Sequence, residues 1–174
     1  MVPVEHLIAK IRDIPDFPEK GVIFKDITPL LGDGHAFRGA VEGLAEPFKS
    51  RGIDAVVAIE ARGYILGAPV AALLGVGFVP VRKIGKLPWH TYRVEYSLEY
   101  GSAIVEMHRD GLQPGQRVLI IDDVLATGGT LAASVKLVEQ AGASVAGMAV
   151  LIELDFLKGR DALKGHEIHS LVHF

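Results

Sequence analysis

The chain has 174 residues, of which 49% are hydrophobic and 22% charged, and a net charge of −3 at neutral pH. This length and composition indicate one globular domain with a substantial core, and the absence of cysteine excludes disulfide and thiol chemistry. No apolar run reaches the ~18 residues of a membrane span, and the first residues carry no secretory pattern, so we expect a cytoplasmic protein that binds neither membranes nor nucleic acid.

Helices and strands alternate along most of the chain. The predicted helices cover residues 4–14, 36–51 and 63–74, and a further helix ends near residue 139. The predicted strands cover residues 55–59, 77–81, 118–121, 145–153 and 169–172. This order predicts an α/β fold with a mainly parallel central sheet flanked by helices. A β-hairpin between Tyr92 and Met107, broken at Gly101, and the N-terminal segment are expected to cover the carboxyl edge of that sheet.

Positive charge is concentrated in one part of the chain. The stretch from Ala61 to Val94 contains no Asp or Glu and has a net charge of +5, which leaves −8 for the rest. Its basic residues are Arg62, Arg82, Lys83, Lys86 and Arg93. Such a cluster predicts an electropositive cleft for a small polyanion, and a basic surface patch is the alternative interpretation.

A short loop follows the strand predicted at residues 55–59. Its sequence, Glu60-Ala-Arg-Gly63, opens onto a helix N-terminus and includes a guanidinium that suits two-point contact with a phosphate. Alone this loop is a weak indication of an anion site.

The most informative stretch is Val118-Leu-Ile-Ile-Asp-Asp-Val-Leu-Ala-Thr-Gly-Gly-Thr130. It predicts a buried strand, two carboxylates at the end of that strand, and a loop of small residues that leads into a helix. Backbone amides, two Thr hydroxyls and two glycines suit a phosphate at the helix N-terminus. The paired carboxylates suit the cis-diol of a ribose. An ordinary strand–loop–helix with two solvated aspartates is the alternative.

The stretch 118–130 lacks the Gly-Lys-Thr/Ser of nucleoside-triphosphate loops and the spaced glycines of dinucleotide folds. In all thirteen positions it resembles the signature by which type I phosphoribosyltransferases bind 5-phosphoribosyl 1-pyrophosphate (PRPP). Four further segments are similar to the adenine phosphoribosyltransferase family and extend the resemblance from about Ile11 to Arg160. These segments are Phe17–Pro29, Arg82–Pro88, Tyr96–Gly101 and Glu153–Arg160.

The resemblance implies a type I phosphoribosyltransferase fold in a single domain, with a hood at about residues 1–35 and a flexible hairpin lid at about residues 82–110. It also implies a cis peptide bond between Glu60 and Ala61. The implied ribose and 5′-phosphate residues are Asp122, Asp123, Ala126, Thr127, Gly128, Gly129 and Thr130. The implied pyrophosphate residues are Glu60, Ala61, Arg62, Arg82, Lys83 and Lys86.

The purine is expected between Phe24 and Leu157, with backbone groups of Ile23 and Lys25 at its edge. The resemblance further implies Glu99 as the acid/base group and Tyr100 as a residue that closes over the site. Where Lys25 stands the family usually has Arg, so this base contact lacks the planar fork of a guanidinium. Trp89 and His90 match no pattern of the family.

The implied reaction transfers the phosphoribosyl group of PRPP to adenine, which gives AMP and pyrophosphate in purine salvage. It requires Mg²⁺ held through PRPP near Asp122 and Asp123 rather than by a protein-only site, and the family implies a homodimer. Two alternatives are an enzyme for another purine base and a PRPP sensor without turnover. His166, His169 and His173 could also suggest metal ligands, although a strand is predicted there.

Overall fold

The computed structural model describes residues 2–97 and 101–174. Near its start, helix α1 (Val4–Ile8) is followed by strands β1 (Arg12–Pro15) and β2 (Ile23–Asp26), which pair antiparallel. The helix predicted for residues 4–14 is therefore wrong beyond Ile8. Strand β2 supplies hydrogen-bond partners to the backbone of β1. This tertiary pairing outweighs the helical spacing of apolar residues from which the longer helix was predicted.

Two helices follow this small sheet, α2 (Thr28–Gly32) and α3 (Gly34–Ala45). The Asp33 side chain caps α3 by accepting hydrogen bonds from the amides of His35 and Ala36. The helix predicted to continue to residue 51 ends at Ala45, and a 3₁₀ turn covers Glu46–Phe48. Pro47 lacks the N–H that an α-helix would direct at the carbonyl of Gly43, and that carbonyl lies 3.2 Å from His169 Nε2 instead.

A seven-stranded sheet forms the centre of the molecule, and its order is β5-β6-β4-β3-β7-β8-β9. The strands are β3 (Ala55–Ile59), β4 (Gly77–Lys83), β5 (Thr91–Ser97), β6 (Ser102–His108), β7 (Arg117–Leu125), β8 (Ser144–Glu153) and β9 (Ile168–His173). The five strands other than β5 and β6 run parallel. Helices α4 (Arg62–Leu74) and α5 (Gly129–Gln140) connect parallel strands, and two apolar clusters fill the two faces of the sheet. The predicted α/β fold is confirmed.

Strand β7 is longer than the predicted strand at residues 118–121. It pairs with β8 as far as Leu125 opposite Glu153, so Asp122 and Asp123 lie within the strand and not beyond its end. The aspartates are only 8% and 5% exposed, which removes the alternative of two solvated carboxylates.

The predicted hairpin is present as β5 and β6, but it extends the sheet and does not simply cover its edge. Strand β6 pairs antiparallel with the end of β4, where Arg82 lies opposite Glu106 and Lys83 opposite Val105. The loop that follows β4 therefore lies at the carboxyl edge of the parallel strands. Within the described ranges, no helix has both the length and the apolar character needed to cross a bilayer.

Candidate active site

A cavity of about 410 Å³ opens at the carboxyl ends of β3, β4 and β7. These three strands are adjacent in the sheet, so the loops that follow them meet at one place. Twelve of the residues assigned to PRPP line the cavity: Glu60, Ala61, Arg62, Arg82, Lys83, Asp122, Asp123, Ala126, Thr127, Gly128, Gly129 and Thr130. The two loops that the sequence separates thus form one site.

The loop from Ala126 to Thr130 leads into α5 through a left-handed residue. Gly128 has φ = +85°, and a Cβ on it would lie 2.4 Å from the carbonyl oxygen of Gly159. Only glycine combines that backbone conformation with such a close approach. The positive end of the α5 dipole consequently faces the cavity, as the binding of a phosphate requires.

Asp122 and Asp123 carry negative charge into a buried part of the cavity wall. The Asp122 carboxylate accepts a hydrogen bond from the Asp123 amide at 2.9 Å, and Arg62 Nε lies 2.8 Å from Asp123 Oδ2. Burial, and then the charge of Asp123, raise the pKa of Asp122 well above its ordinary value. Burial also raises the pKa of Asp123, while the Arg62 guanidinium acts in the opposite direction.

These raised pKa values predict that the aspartate pair destabilises the ligand-free protein. A carboxyl group whose pKa is raised by folding lowers the free energy of unfolding above that pKa, and the effect disappears below its ordinary pKa of 3.8, where both states are protonated. We expect Asp122→Asn to increase the free energy of unfolding at pH 7 by roughly 1–2 kcal/mol. The increase should vanish near pH 3. Urea unfolding of the ligand-free protein at both pH values measures the difference.

The matched control is Asp110→Asn, since the Asp110 side chain is exposed. We expect it to change the free energy of unfolding by less than about 0.5 kcal/mol at either pH. Destabilisation by Asp122→Asn at pH 7 would contradict the prediction, because it would mean that the carboxylate is compensated in the free protein.

Glu60 organises the side of the cavity that was assigned to pyrophosphate from the sequence. Its carboxylate accepts hydrogen bonds from Arg82 Nε at 2.6 Å and from the Lys83 amide at 2.9 Å. Burial alone would raise the pKa of Glu60, but these two hydrogen bonds outweigh burial and lower the pKa. The peptide bond between Glu60 and Ala61 is cis, as the resemblance implies.

The predicted electropositive cleft is only partly correct. Three of the five clustered cations line the cavity, but two of them, Arg62 and Arg82, are paired with the carboxylates of Asp123 and Glu60. Arg93 lies outside the cavity wall and pairs with Glu106. The net charge of residues 61–94 does not reveal these ion pairs, because the carboxylates that pair with the cations lie outside that stretch or directly before it.

None of the four residues assigned to the purine lines this cavity. Phe24 is adjacent to it, since the Arg62 guanidinium lies 4.8 Å from the centre of the Phe24 ring. Ile23 is exposed, and Leu157 belongs to a 3₁₀ turn, Asp155–Leu157. The Lys25 ammonium bonds to Asp13 at 2.7 Å and lies 3.7 Å from the centre of the Phe174 ring.

Three further assignments concern the hairpin and the loop before it. Glu99 and Tyr100 lie outside the described residues. The main chain of Lys86 contacts the site, because its carbonyl accepts a hydrogen bond from Arg82 Nη1 at 3.1 Å. The ring of Trp89 is 64% exposed and packs edge-on against His90, in a surface cleft away from the cavity.

Some residues that support the loop from Ala126 to Thr130 were not predicted from the sequence. Tyr96 lines the cavity, and its hydroxyl accepts a 3.3 Å hydrogen bond from Thr130 Oγ1. Buried Glu153 accepts two 2.7 Å hydrogen bonds from Arg160, which lower its pKa. This ion pair closes the segment that contains Gly159, where a Cβ would lie 2.2 Å from the Ala126 carbonyl oxygen. In the sequence, the opposite charges at the two ends of the motif 153–160 were the feature from which this ion pair could have been predicted.

One group of side chains outside the cavity has the spacing of metal ligands. Among the described residues, Glu153, Asp155 and His173 each place one ligand atom within 4.8 Å of the others. The Glu153 carboxylate is already bound by Arg160, and His173 Nδ1 lies 2.9 Å from Asp155 Oδ1. Of the histidines considered above, only His173 belongs to this group.

Comparison with known proteins gives a consistent result. A family model described as phosphoribosyl transferase domain matches residues 31–168. The chain is 62% identical to the adenine phosphoribosyltransferase of Clostridium perfringens (strain SM101 / Type A) over 95% of this chain and 96% of that protein.

Solved structures agree with these matches. The crystal structure of adenine phosphoribosyltransferase from Thermoanaerobacter pseudethanolicus superposes with a TM-score of 0.96 at 53% identity, covering 99% of this chain and 100% of that one. The enzyme from Saccharomyces cerevisiae, solved with an imino-altritol bisphosphate and adenine, superposes with a TM-score of 0.92 at 38% identity, covering 97% of both chains. The chain therefore belongs to the type I phosphoribosyltransferases and, within them, to the adenine phosphoribosyltransferase family.

Proposed function

We propose that this protein transfers the 5-phosphoribosyl group of PRPP to adenine and forms AMP and pyrophosphate. The observation that carries the proposal is that both predicted anion loops, together with Asp122 and Asp123, line one cavity. PRPP has a phosphate at one end, a pyrophosphate at the other and a ribose with two hydroxyl groups between. The high identity to adenine phosphoribosyltransferases supports adenine as the acceptor.

In this proposal the loop from Ala126 to Thr130 binds the 5′-phosphate at the N-terminus of α5. The carboxylates of Asp122 and Asp123 accept hydrogen bonds from the ribose hydroxyls. Arg62, Arg82 and Lys83, together with Lys86, bind the pyrophosphate. In the ligand-free protein Arg62 and Arg82 contact the carboxylates of Asp123 and Glu60 through their Nε atoms.

Transfer at the sugar C1 proceeds through a state with oxocarbenium character, as in other glycosyl transfers. Negative charge develops on the departing pyrophosphate. The cations of the basic loop (residues 82–88, from the end of β4 into the turn after it) therefore stabilise the transition state more than the bound substrate. Holding the purine and the sugar in line supplies part of the ~7–11 kcal/mol available from proximity. Glu99 is proposed to manage the ring proton of the purine.

The residues of the cavity fit Mg²⁺. Mg²⁺ prefers oxygen ligands and is usually held by one or two carboxylates together with substrate phosphates. The buried Asp122 and Asp123 provide such oxygens, and a cation beside them would offset the burial that raises the pKa of both carboxyl groups. When bound with PRPP, Mg²⁺ neutralises charge on the pyrophosphate oxygens.

The identity of the purine is the subject of the first kinetic test. We expect the protein to convert adenine with Mg²⁺ and PRPP, and to use hypoxanthine or guanine with kcat/KM lower by on the order of 10²-fold or more, because their exocyclic groups reverse the hydrogen-bonding pattern at the purine edge. A competition assay with labelled bases measures these ratios. Equal use of hypoxanthine would favour the other-purine alternative, whereas tight PRPP binding without turnover of any base would favour a sensor.

The proposal also includes the arrangement expected from the family. Residues 1–35 form a hood beside the purine, residues 82–110 form the lid, and Tyr100 closes over the site. The active unit is a homodimer, located in the cytoplasm. Sedimentation analysis with and without PRPP tests the dimer.

A further inference from the structure

A buried carboxylate outside the cavity connects the hairpin to the basic loop. Glu106, on β6, is 1% exposed and accepts hydrogen bonds from three donors in two segments. Its Oε1 accepts from Arg93 Nε at 2.6 Å and from Thr91 Oγ1 at 3.2 Å, both on β5. Its Oε2 accepts from the amide of Gly85 at 2.9 Å, in the loop after β4.

The loop that receives this contact contains Lys86 and directly follows Arg82 and Lys83, the three cations proposed to bind pyrophosphate, and its backbone makes a tight turn. Gly85 has φ = +78°, and the amide of Lys86 donates to the carbonyl of Lys83 at 3.3 Å. The amide of Ile84 bonds to β6 through the carbonyl of Ile104 at 3.1 Å. Glu106 provides a second attachment to β6, one residue further along the loop.

A second carboxylate attaches the other end of the same loop. Glu60 binds the guanidinium of Arg82, and Arg82 in turn donates to the carbonyl of Lys86 at 3.1 Å. The loop is therefore held between two acidic groups, with Glu60 on the cavity side and Glu106 on the hairpin side. Of these two carboxylate contacts, only that of Glu106 depends on the position of the hairpin.

We propose that Glu106 is a positioning residue for the pyrophosphate of PRPP. It holds the loop after β4 so that Lys86, in that loop, and Arg82 and Lys83, at the end of β4, direct their charges at one anion. It also couples that arrangement to the hairpin whose connection contains Glu99. This inference rests on the proposed function, since it takes PRPP as the substrate.

The geometry indicates a variant that removes the contact of Glu106 with Gly85 and keeps its contacts with β5. A carboxylate only accepts hydrogen bonds, whereas the glutamine side chain has one accepting oxygen and one donating amide group. In Glu106→Gln, the oxygen is expected to stay with the two donors on β5, because Arg93 is charged. The amide group then faces the N–H of Gly85, and the attachment of the loop is lost while the hairpin keeps its own contacts.

The experiment compares two ligands that differ only at the pyrophosphate end. We expect Glu106→Gln to weaken binding of Mg²⁺-PRPP by roughly tenfold, the usual effect of losing one charge-assisted hydrogen bond. Binding of ribose 5-phosphate should stay within twofold of the unmodified protein, since the 5′-phosphate loop and the aspartate pair are untouched. Isothermal titration calorimetry measures both affinities, and in steady-state kinetics the KM for PRPP should rise while the KM for adenine does not.

Two controls have matched chemistry. Glu95→Gln makes the same replacement on β5, where the carboxylate is exposed and bonds only to Ser102 among the described residues. Thr91→Val removes a donor to Glu106 from the hairpin side and leaves the Gly85 contact in place. Both should bind PRPP as the unmodified protein does.

Three results overturn the inference: unchanged PRPP binding in Glu106→Gln, equal weakening of both ligands, or equal weakening in Glu95→Gln. If Glu106→Gln does not fold, as judged by thermal unfolding, Glu106→Asp replaces it. That variant keeps the charge but withdraws it by one methylene, so the same selective loss is expected. Failure of the unmodified protein to bind PRPP would instead overturn the proposed function.

Discussion

Replacing Arg82 with glutamine should lower kcat/KM for PRPP by about 10²–10³-fold, the usual effect of removing one preorganised group that stabilises developing charge. The Arg82 guanidinium lines the cavity next to Lys83 and is held by Glu60 at 2.6 Å. Glutamine can still donate a hydrogen bond to Glu60, so the loop stays attached, but the positive charge is lost. Steady-state kinetics with PRPP and adenine measure the change.

The control for this prediction is Arg109→Gln. Arg109 stacks over the ring of Tyr92, 5.3 Å from its centre, and is not part of the cavity wall. Its replacement should leave kcat/KM within about twofold. Similar losses in both variants would mean that net charge, and not the position of Arg82, determines the rate.

Replacing Gly128 with alanine should weaken binding at the opposite end of the substrate. The new Cβ would lie 2.4 Å from the Gly159 carbonyl oxygen, in a backbone conformation that alanine rarely adopts. The loop must therefore move away from the arrangement in which its amides converge on a phosphate. We expect the affinity for ribose 5-phosphate to fall by about 100-fold, equivalent to two charge-assisted hydrogen bonds.

Gly115→Ala separates this effect from the general strain of a left-handed residue. Gly115 also has φ = +85°, but a Cβ on it would meet nothing within 4 Å. It should lose stability by roughly 1 kcal/mol and keep its affinity for ribose 5-phosphate. Calorimetric titration of both variants provides the comparison. Normal binding by Gly128→Ala would show that the loop does not hold the phosphate.

The two predictions together assign the ends of the substrate. Arg82→Gln should affect PRPP and leave ribose 5-phosphate binding intact, whereas Gly128→Ala should affect both ligands. The structure accounts for this difference, since Arg82 lies near the end of β4 and Gly128 follows β7, and these two strands lie on opposite sides of β3 in the sheet.

Much of the site could be predicted from the sequence because its chemistry is encoded in short contiguous segments. In Val118–Thr130, apolar residues, carboxylates and glycines follow one another in the order in which a strand, a pair of acceptors and a phosphate loop are needed. The segment Glu60–Gly63 encodes a second such loop. Parallel strands place the ends of both segments at the same edge of the sheet, so these residues could be brought together without knowledge of the tertiary contacts.

Other features depend on residues that are distant in the sequence, and only the tertiary structure determined them. Strand β1 exists because it pairs with β2, although its own sequence continues the helical period of α1. Arg62 pairs with Asp123, which changes the expected free positive charge into a balanced ion pair. Glu106 gave no sign of a role, because its three donors come from β5 and from the loop after β4.

The sequence by itself thus determined the alternation of helices and strands, the two loops that line the cavity and the residue types proposed to contact the substrate, since these follow from local backbone preferences and side-chain chemistry. Tertiary structure alone decided which charges are compensated, how deeply Asp122 and Asp123 are buried and what holds the basic loop in place. The physical reason is that burial and ion pairing depend on which segments meet in space, and hydrophobic periodicity along the chain does not specify the partner of each side chain.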